Sequence, residues 1–384
     1  MGCGTAVGDP DGGVGALDGG AGVVQISGGA SSTCALRANG TVFCWGGGID
    51  GVVDIPDGGT PMQPHPPALV DGVLDAVEIA TGAGAFACAR RATGSVVCWG
   101  RNVEGQLGDG SSVSRAAPAP VTGLVDAIRI SAGASHACAI RAGGMLVCWG
   151  SNYSGQLGDG TTTNQPLPVA VSALTEVVDV SAGEFDTCAV DAHGAAWCWG
   201  RNYAGALGDG VTHAPCPGAS GDPCSATPVR VAGIDDAVAI SADLNAACVV
   251  RRAGSVACWG WGDGGQLGLG DELDRTVPTT IAGLGPVTRV RSGYLSADAV
   301  LASGDLMVWG IRWSEIDDAG TPARSTVPIP MTGLGPVRQT AGGWYHVCAL
   351  EVGGRVLCWG TNEWMQLGDG TTTAHAAPTP VIAP

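Results

Sequence analysis

The sequence predicts an all-β fold made of seven copies of one unit, and three observations carry that prediction. A Trp-Gly step falls at Trp45, Trp99, Trp149, Trp199, Trp259, Trp309 and Trp359, at spacings of 54, 50, 50, 60, 50 and 50 residues. Self-similarity at one period along most of a chain marks a repeat architecture. The segments between the steps are short, β-branched and bounded by Gly, Pro, Asn and Asp, with no helical period, which is the pattern of strands and turns. A Gly also precedes each Trp at one fixed slot: Gly40, Gly94, Gly144, Gly194, Gly254, Gly304 and Gly354.

Residues 166–200 define the unit. "PLPVAV" reads as a first strand led by Pro, "EVVDVSAG" as a second, and "TCAVD" and "AAWCWG" as a third and fourth. Ala192-His193-Gly194 joins the last two as a three-residue hairpin with Gly in the left-handed position. Seven units of four strands predict a single seven-bladed β-propeller over residues 21–384. Residues 1–20 read as a flexible Gly/Asp-rich tail. The first unit begins at "VVQISGG" with no Pro-led strand, and the chain finishes with an orphan one, "PTPVIAP". The C-terminal strand is therefore expected to join the first blade and close the ring, leaving no open edge.

The cysteines point to a compartment. Six pairs share one spacing: Cys34 with Cys44, Cys88 with Cys98, Cys138 with Cys148, Cys188 with Cys198, Cys248 with Cys258 and Cys348 with Cys358. Each pair flanks the hairpin at positions directly opposite across two strands, close enough for a disulfide. The sixth unit has Asp298 and Val308 instead, so both cysteines are missing together, as bonded partners would be. Cys216 and Cys224 sit within an insertion and form a seventh expected pair. Free core cysteines and a metal site are weaker readings, because zinc uses closer pairs. Disulfides imply an oxidising, extracytoplasmic setting. Cys3 is left over. Gly2-Cys3 and the tail behind it resemble the cleavage region of bacterial lipoproteins, so Cys3 is the candidate lipid carrier. The protein is expected to be secreted or a surface lipoprotein, touching a membrane only through that anchor.

The loop "CWGSNYSGQLGDGTTT" (148–163) invites a chemical reading, and the chain does not support one. It has no Lys, so a P-loop is excluded. An EF-hand needs alternating oxygen ligands, and this loop has one carboxylate, recurring as Asp109, Asp159, Asp209 and Asp369. A nucleophile elbow lacks its His. Asn and Asp as turn formers, Gly for close approach and Leu107, Leu157, Leu207, Leu267 and Leu367 as pins give an architectural reading. No cofactor or metal is expected. The net charge of −17 argues against nucleic acid.

"ISAGASHACAI" (130–140) followed by "VCWGSNYSGQLGDG" (147–160) resembles a repeat of the regulator of chromosome condensation family, with its disulfides suggesting a bacterial extracytoplasmic branch. The resemblance covers residues 21–384 and implies a seven-bladed propeller. His136 and His346 alone keep the family's His slot, and the loops after Trp45 and Trp309 lose the pattern.

If repetition is scaffold, recognition belongs in the differences. Of 19 aromatic residues, nine lie on the "CWG" strand. The other ten share one face: Tyr153, Tyr203, Trp261, Trp313 and Trp364 after the Trp-Gly step, and Phe86, Phe185, Tyr294, Trp344 and Tyr345 before the third strand. Acids such as Glu104, Glu184, Asp186, Asp263, Glu272 and Glu363 accompany them, while Arg37, Arg91, Arg141 and Arg251 recur on the opposite, hairpin-turn face. Exposed Tyr and Trp dominate protein interfaces. The expectation is a monomeric, non-enzymatic propeller that binds a protein through this face. One propeller resembling this family is a secreted inhibitor of β-lactamases, so an inhibitor is one form this takes. Carbohydrate binding is the alternative. A hydrolase using Glu184 and Asp186, or guanine-nucleotide exchange as in eukaryotic relatives, ranks below both.

Overall fold

The computed structural model describes residues 22–47, 64–216, 221–316 and 322–382. The tail with Cys3 and the side chain of Trp313 lie outside the described residues and side chains. Seven four-stranded antiparallel sheets stand around a central channel of about 320 Å³ lined by the first strand of every sheet.

The strand phase differs from the sequence reading. In blade 1 the strands run Val23–Gly29, Ser32–Arg37, Val42–Gly47 and Pro64–Leu69 from the channel outward. The Pro-led segment thus ends a unit instead of starting it: Gln165–Ala170 pairs with Leu146–Gly150 of the sheet before it. This is where Pro fits, because an outer edge strand has amides with no partner strand and Pro has none to leave unsatisfied. The innermost strand is the Gly-, Ala- and Ser-rich one. A Cβ on Gly28 would lie 2.5 Å from the carbonyl oxygen of Gly342 on the neighbouring blade.

The expected composite blade does not form. The C-terminal strand His375–Pro380 pairs with Val356–Gly360 and completes the seventh blade, while Pro64–Leu69 completes the first. Side chains close the ring. His346 Nε2 lies 2.8 Å from Thr33 Oγ1. The Gln339 amide accepts from Ile26 N at 3.2 Å and donates to Ile26 O at 2.8 Å. Val23, Ile26 and Trp45 pack against Leu350, Leu367 and Val381.

The other seams are built alike. Seven apolar clusters each bridge two consecutive blades. Nearer the axis, Ser27, Ser131, Ser181 and Ser241 each accept a backbone N–H of the next blade at 2.9 Å.

Seven disulfides are present, at all the expected pairs. Cys34 is bonded to Cys44, Cys88 to Cys98, Cys138 to Cys148, Cys188 to Cys198, Cys248 to Cys258 and Cys348 to Cys358. The seventh joins Cys216 to Cys224 in the insertion. The first six connect residues in register with Cα atoms 4.0–4.1 Å apart, the close approach of a non-hydrogen-bonded cross-strand pair. The structure assigns these cysteines to the core and not to any surface site. Cys98, Cys148, Cys198, Cys258 and Cys358 on the third strand are wholly buried, each 0% exposed, and all but Cys44 on that strand share this. The physical reason is their place: Cys98 packs into the seam of blades 2 and 3 and Cys198 into that of blades 4 and 5. Cys148, Cys258 and Cys358 do the same in their own seams. Each bridge is therefore a staple that solvent and partner do not reach. Blade 6 substitutes an ion pair. Asp298, 1% exposed, binds Arg291 at 2.5 Å and accepts from Thr340 Oγ1 of blade 7 at 2.5 Å.

Candidate binding face

The repeated loop after each Trp-Gly step locks one blade to the next. Asn152, fully buried, accepts from Leu157 N at 3.0 Å and donates to Asp159, Thr161 and Thr163 at 3.1–3.2 Å. The loop so shaped offers Gln156 O to the indole N–H of Trp199 in the following blade, at 2.9 Å. The same bond joins Trp149 to Gln106, Trp259 to Ala206, Trp309 to Gln266 and Trp45 to Gln366. Gly158 is required beside it: its φ is +68°, and a Cβ would lie 2.7 Å from Trp199 Nε1. Trp99 and Trp359 lack this bond among the described residues. They follow the two loops whose pattern is lost.

The recurrent Asp is spent on the turn. Burial opposes the charge of Asp109, yet the amide and hydroxyl of Ser111, together with Arg115, hold its carboxyl below the usual range. Among the described residues no group of three His, Cys, Asp or Glu is placed to hold a metal ion.

The structure divides the ten candidate aromatics. Phe86 is removed from the binding set: it is fully buried in the core between blades 2 and 3. It occupies the slot of His136 and His346, paired across from Gly100 as they are from Gly150 and Gly360. Tyr153 and Tyr203 are 52% and 42% exposed and Trp344 36%. Phe185, Trp261, Tyr294, Tyr345 and Trp364 are half-buried. Tyr153 donates to Glu104 of the preceding blade at 3.0 Å. Two clusters form. Tyr203 meets Trp261 edge-on at 6.1 Å, with the Arg201 guanidinium over Phe185 and Tyr203 at 5.2 and 5.3 Å. Tyr294, Trp344 and Tyr345 are mutually 5.6–6.3 Å apart.

The channel mouth on this face is lopsided. The loops from the first to the second strand carry only Ala, Gly and Ser in blades 1–3 (Ala30-Ser31, Ala83-Gly84-Ala85, Ala134-Ser135). In blades 4–7 they carry Glu184-Phe185, Leu244-Asn245, Tyr294-Leu295 and Trp344-Tyr345. Three acids converge on this crescent. Burial and then the Asp243 charge push Glu184 up to about 7, and burial raises Asp243 to about 6. Asp186 is pushed well above its usual range by burial and Asp243. Sequence reasoning missed Asp243. Its signal was there: the other six inner strands reach Gly at that slot (Gly29, Gly82, Gly133, Gly183, Gly293 and Gly343).

On the opposite face the recurrent arginines are paired, Arg91 with Asp75, Arg141 with Asp126 and Arg251 with Asp236. That face also bears Val77, Ile128, Val178 and Val238, each 45–53% exposed, around the channel rim.

Fold and loops together define a disulfide-stapled propeller with one aromatic and acidic face. The chain matches the RCC1-like domain over residues 7–297 and the regulator of chromosome condensation (RCC1) repeat over residues 337–363, and it belongs to that family. It is similar to human WBSCR16 (TM-score 0.75, 21% identity, 90% of this chain and 95% of that one). It is similar also to Prp20p of Saccharomyces cerevisiae (TM-score 0.74, 20% identity, 90% and 87%). The ectodomain of the Physcomitrella patens receptor kinase CR4 has the fold at TM-score 0.53 and 22% identity, over 88% and 74% of the two chains. Among curated proteins, human E3 ubiquitin-protein ligase HERC2 is 32% identical over 120 residues, 30% of this chain, which spans 2% of that relative's length. No helix among the described residues is long and apolar enough to cross a membrane.

Proposed function

We propose that the protein is a non-enzymatic recognition propeller that works outside the cytoplasm, secreted or anchored at the surface, and binds a protein partner through the crescent of blades 4–7 and its flank at Tyr153. The observation that carries this reading is the asymmetry of the channel mouth: seven equivalent loops, of which three are smooth and four bear large side chains, aromatic in blades 4, 6 and 7. A scaffold alone has no use for that difference. Rigid, half-exposed aromatic groups held in pairs, with a rim of acids, suit a protein interface. The seven disulfides support the compartment.

Yeast Prp20p is described with its binding to Gsp1p and histones. That propeller precedent supports protein recognition here. The disulfides, which place the chain in an oxidising compartment, weigh against histones or a cytosolic GTPase as the partner. Stacking on a glycan is the alternative use of Tyr203, Trp261 and Trp344. Replacing Tyr203 and Trp261 with Ala together should abolish capture of the partner from the secreted fraction of the source cells. Unchanged capture would refute the site, and glycan-array binding lost in the same variant would favour carbohydrate.

A further inference from the structure

We propose that the channel mouth where Glu184, Asp186 and Asp243 converge beside Tyr294 receives a cationic side chain, lysine or arginine, presented by the protein partner. The proposal rests on the protein-recognition reading above and names the chemistry the partner brings to it.

Among the described residues the three acids have no ion-pair partner of their own. The two arginines whose fields reach them are committed elsewhere, Arg201 to Asp222 at 2.7 Å and Arg291 to Asp298 at 2.5 Å. Asp186 is the plainest case. It is 2% exposed, and among the described residues neither carboxylate oxygen finds a hydrogen-bond partner on another residue; only its own backbone amide favours the charge. Buried polar groups are almost always paired.

The repeat explains how this one came to be orphaned. In the same slot, His136 reaches Thr187 of the next blade at 2.9 Å, and His346 reaches Thr33 at 2.8 Å. The blade 5 residue equivalent to Thr187 and Thr33 is Ala247, which has no hydroxyl to offer Asp186. Its carboxylate lies instead against Gly183 and beside the backbone of Asp243, directly behind the channel lining that Gly183, Glu184 and Asp243 form.

Asp243 stands where six other inner strands have Gly, and Glu184 where blades 1–3 have Ala. The charge is thus added at positions the scaffold leaves small. Tyr294, with Trp344 at 6.0 Å, supplies aromatic faces next to the acids, and such faces attract cations. Binding should weaken as pH falls through 7 to 5.5, because burial holds Glu184 near 7 and Asp243 near 6 and both lose charge there. The groups acting on them are Asp186 and Arg201 from blade 4 and Arg291 from blade 6, with Tyr294 beside Glu184 and Tyr345 of blade 7 against Tyr294.

The test is a titration of the ¹⁵N-labelled full chain with N-acetyl-arginine methylamide, and separately with its neutral citrulline counterpart, at pH 7.5. Saturating shifts of the Glu184, Asp243 and Tyr294 amides are expected with arginine, at least fivefold tighter than with citrulline. The double substitution Glu184→Gln with Asp243→Asn should weaken binding at least tenfold, with the remaining amide spectrum unchanged as the check on folding. Equal affinity for both compounds, or an affinity the double substitution leaves intact, overturns the proposal. Partner capture separates this from the parent reading. Capture lost in Tyr203→Ala/Trp261→Ala but kept in Glu184→Gln/Asp243→Asn sinks the cation site alone. Capture unaffected by either sinks the face.

Discussion

Replacing Asn152 with Ala tests the claim that the conspicuous glycine-rich loop is a blade lock. The side chain is fully buried and satisfies Leu157 N–H, while its own amide group caps Asp159 and the carbonyls of Thr161 and Thr163. Truncation leaves a buried amide and two carbonyls without that partner. One buried unsatisfied donor costs about 1–3 kcal/mol, and the weakened carbonyls bring the loss to about 2–4 kcal/mol. At this chain length that is a fall in Tm of roughly 3–6 °C. The assay is thermal unfolding of the oxidised protein. The control is Asn39→Ala, whose side chain caps Thr41 in an exposed hairpin turn and should cost below about 1 kcal/mol. Hydrogen exchange should place the damage locally, at Leu157 N–H and the Trp199 indole. If Asn152→Ala and Asn39→Ala melt within a degree of each other, the loop does not hold the blades together.

Three further outcomes follow from the same geometry. Alkylation of the unfolded, unreduced chain should add at most one label, since fourteen of fifteen cysteines are bonded; three or more labels by mass spectrometry would contradict the pairing. Burial depresses His136 and His346 to about 3, so the unfolded chain takes up their protons first and stability falls as pH drops below about 6.5, by about 2 kcal/mol per His at pH 5; His136→Gln/His346→Gln should flatten that limb in urea unfolding, and an unchanged slope would refute it. Asp186 works in the opposite sense: its raised folded pKa means stability is lost as pH rises above the ordinary Asp value near 3.9. Asp186→Asn should therefore be more stabilising at pH 7.5 than at pH 5 in urea unfolding, and a loss at pH 7.5 would show that the carboxylate has an internal partner.

Much of this architecture was legible because repetition exposes it. Seven Trp-Gly steps set the blade number, and the joint loss of both cysteines at Asp298 and Val308 identified the others as pairs. The strand phase was not legible, since a circular repeat has no marked origin; only the hydrogen bonds of Gln165–Ala170 to Leu146–Gly150 decide where a blade ends. The loop faces survived that error, because shifting the unit by one strand leaves the same loops together. Phe86 was misplaced because an aromatic residue in the His slot reads the same whether it points to solvent or into the seam. Asp243 is not legible from the pattern of aromatic residues, because a lone acid in a Gly slot is visible only against the other six units.

The central claim, that the repeated residues are scaffold and the unequal loops of blades 4–7 do the recognition, is met most directly by hydrogen–deuterium exchange on the complex with the captured partner. Protection is predicted at residues 183–186, 203–205, 243–245, 293–295 and 343–345. Protection at the hairpin turns and the Val77, Ile128, Val178 and Val238 rim, with these five loops unchanged, would contradict it.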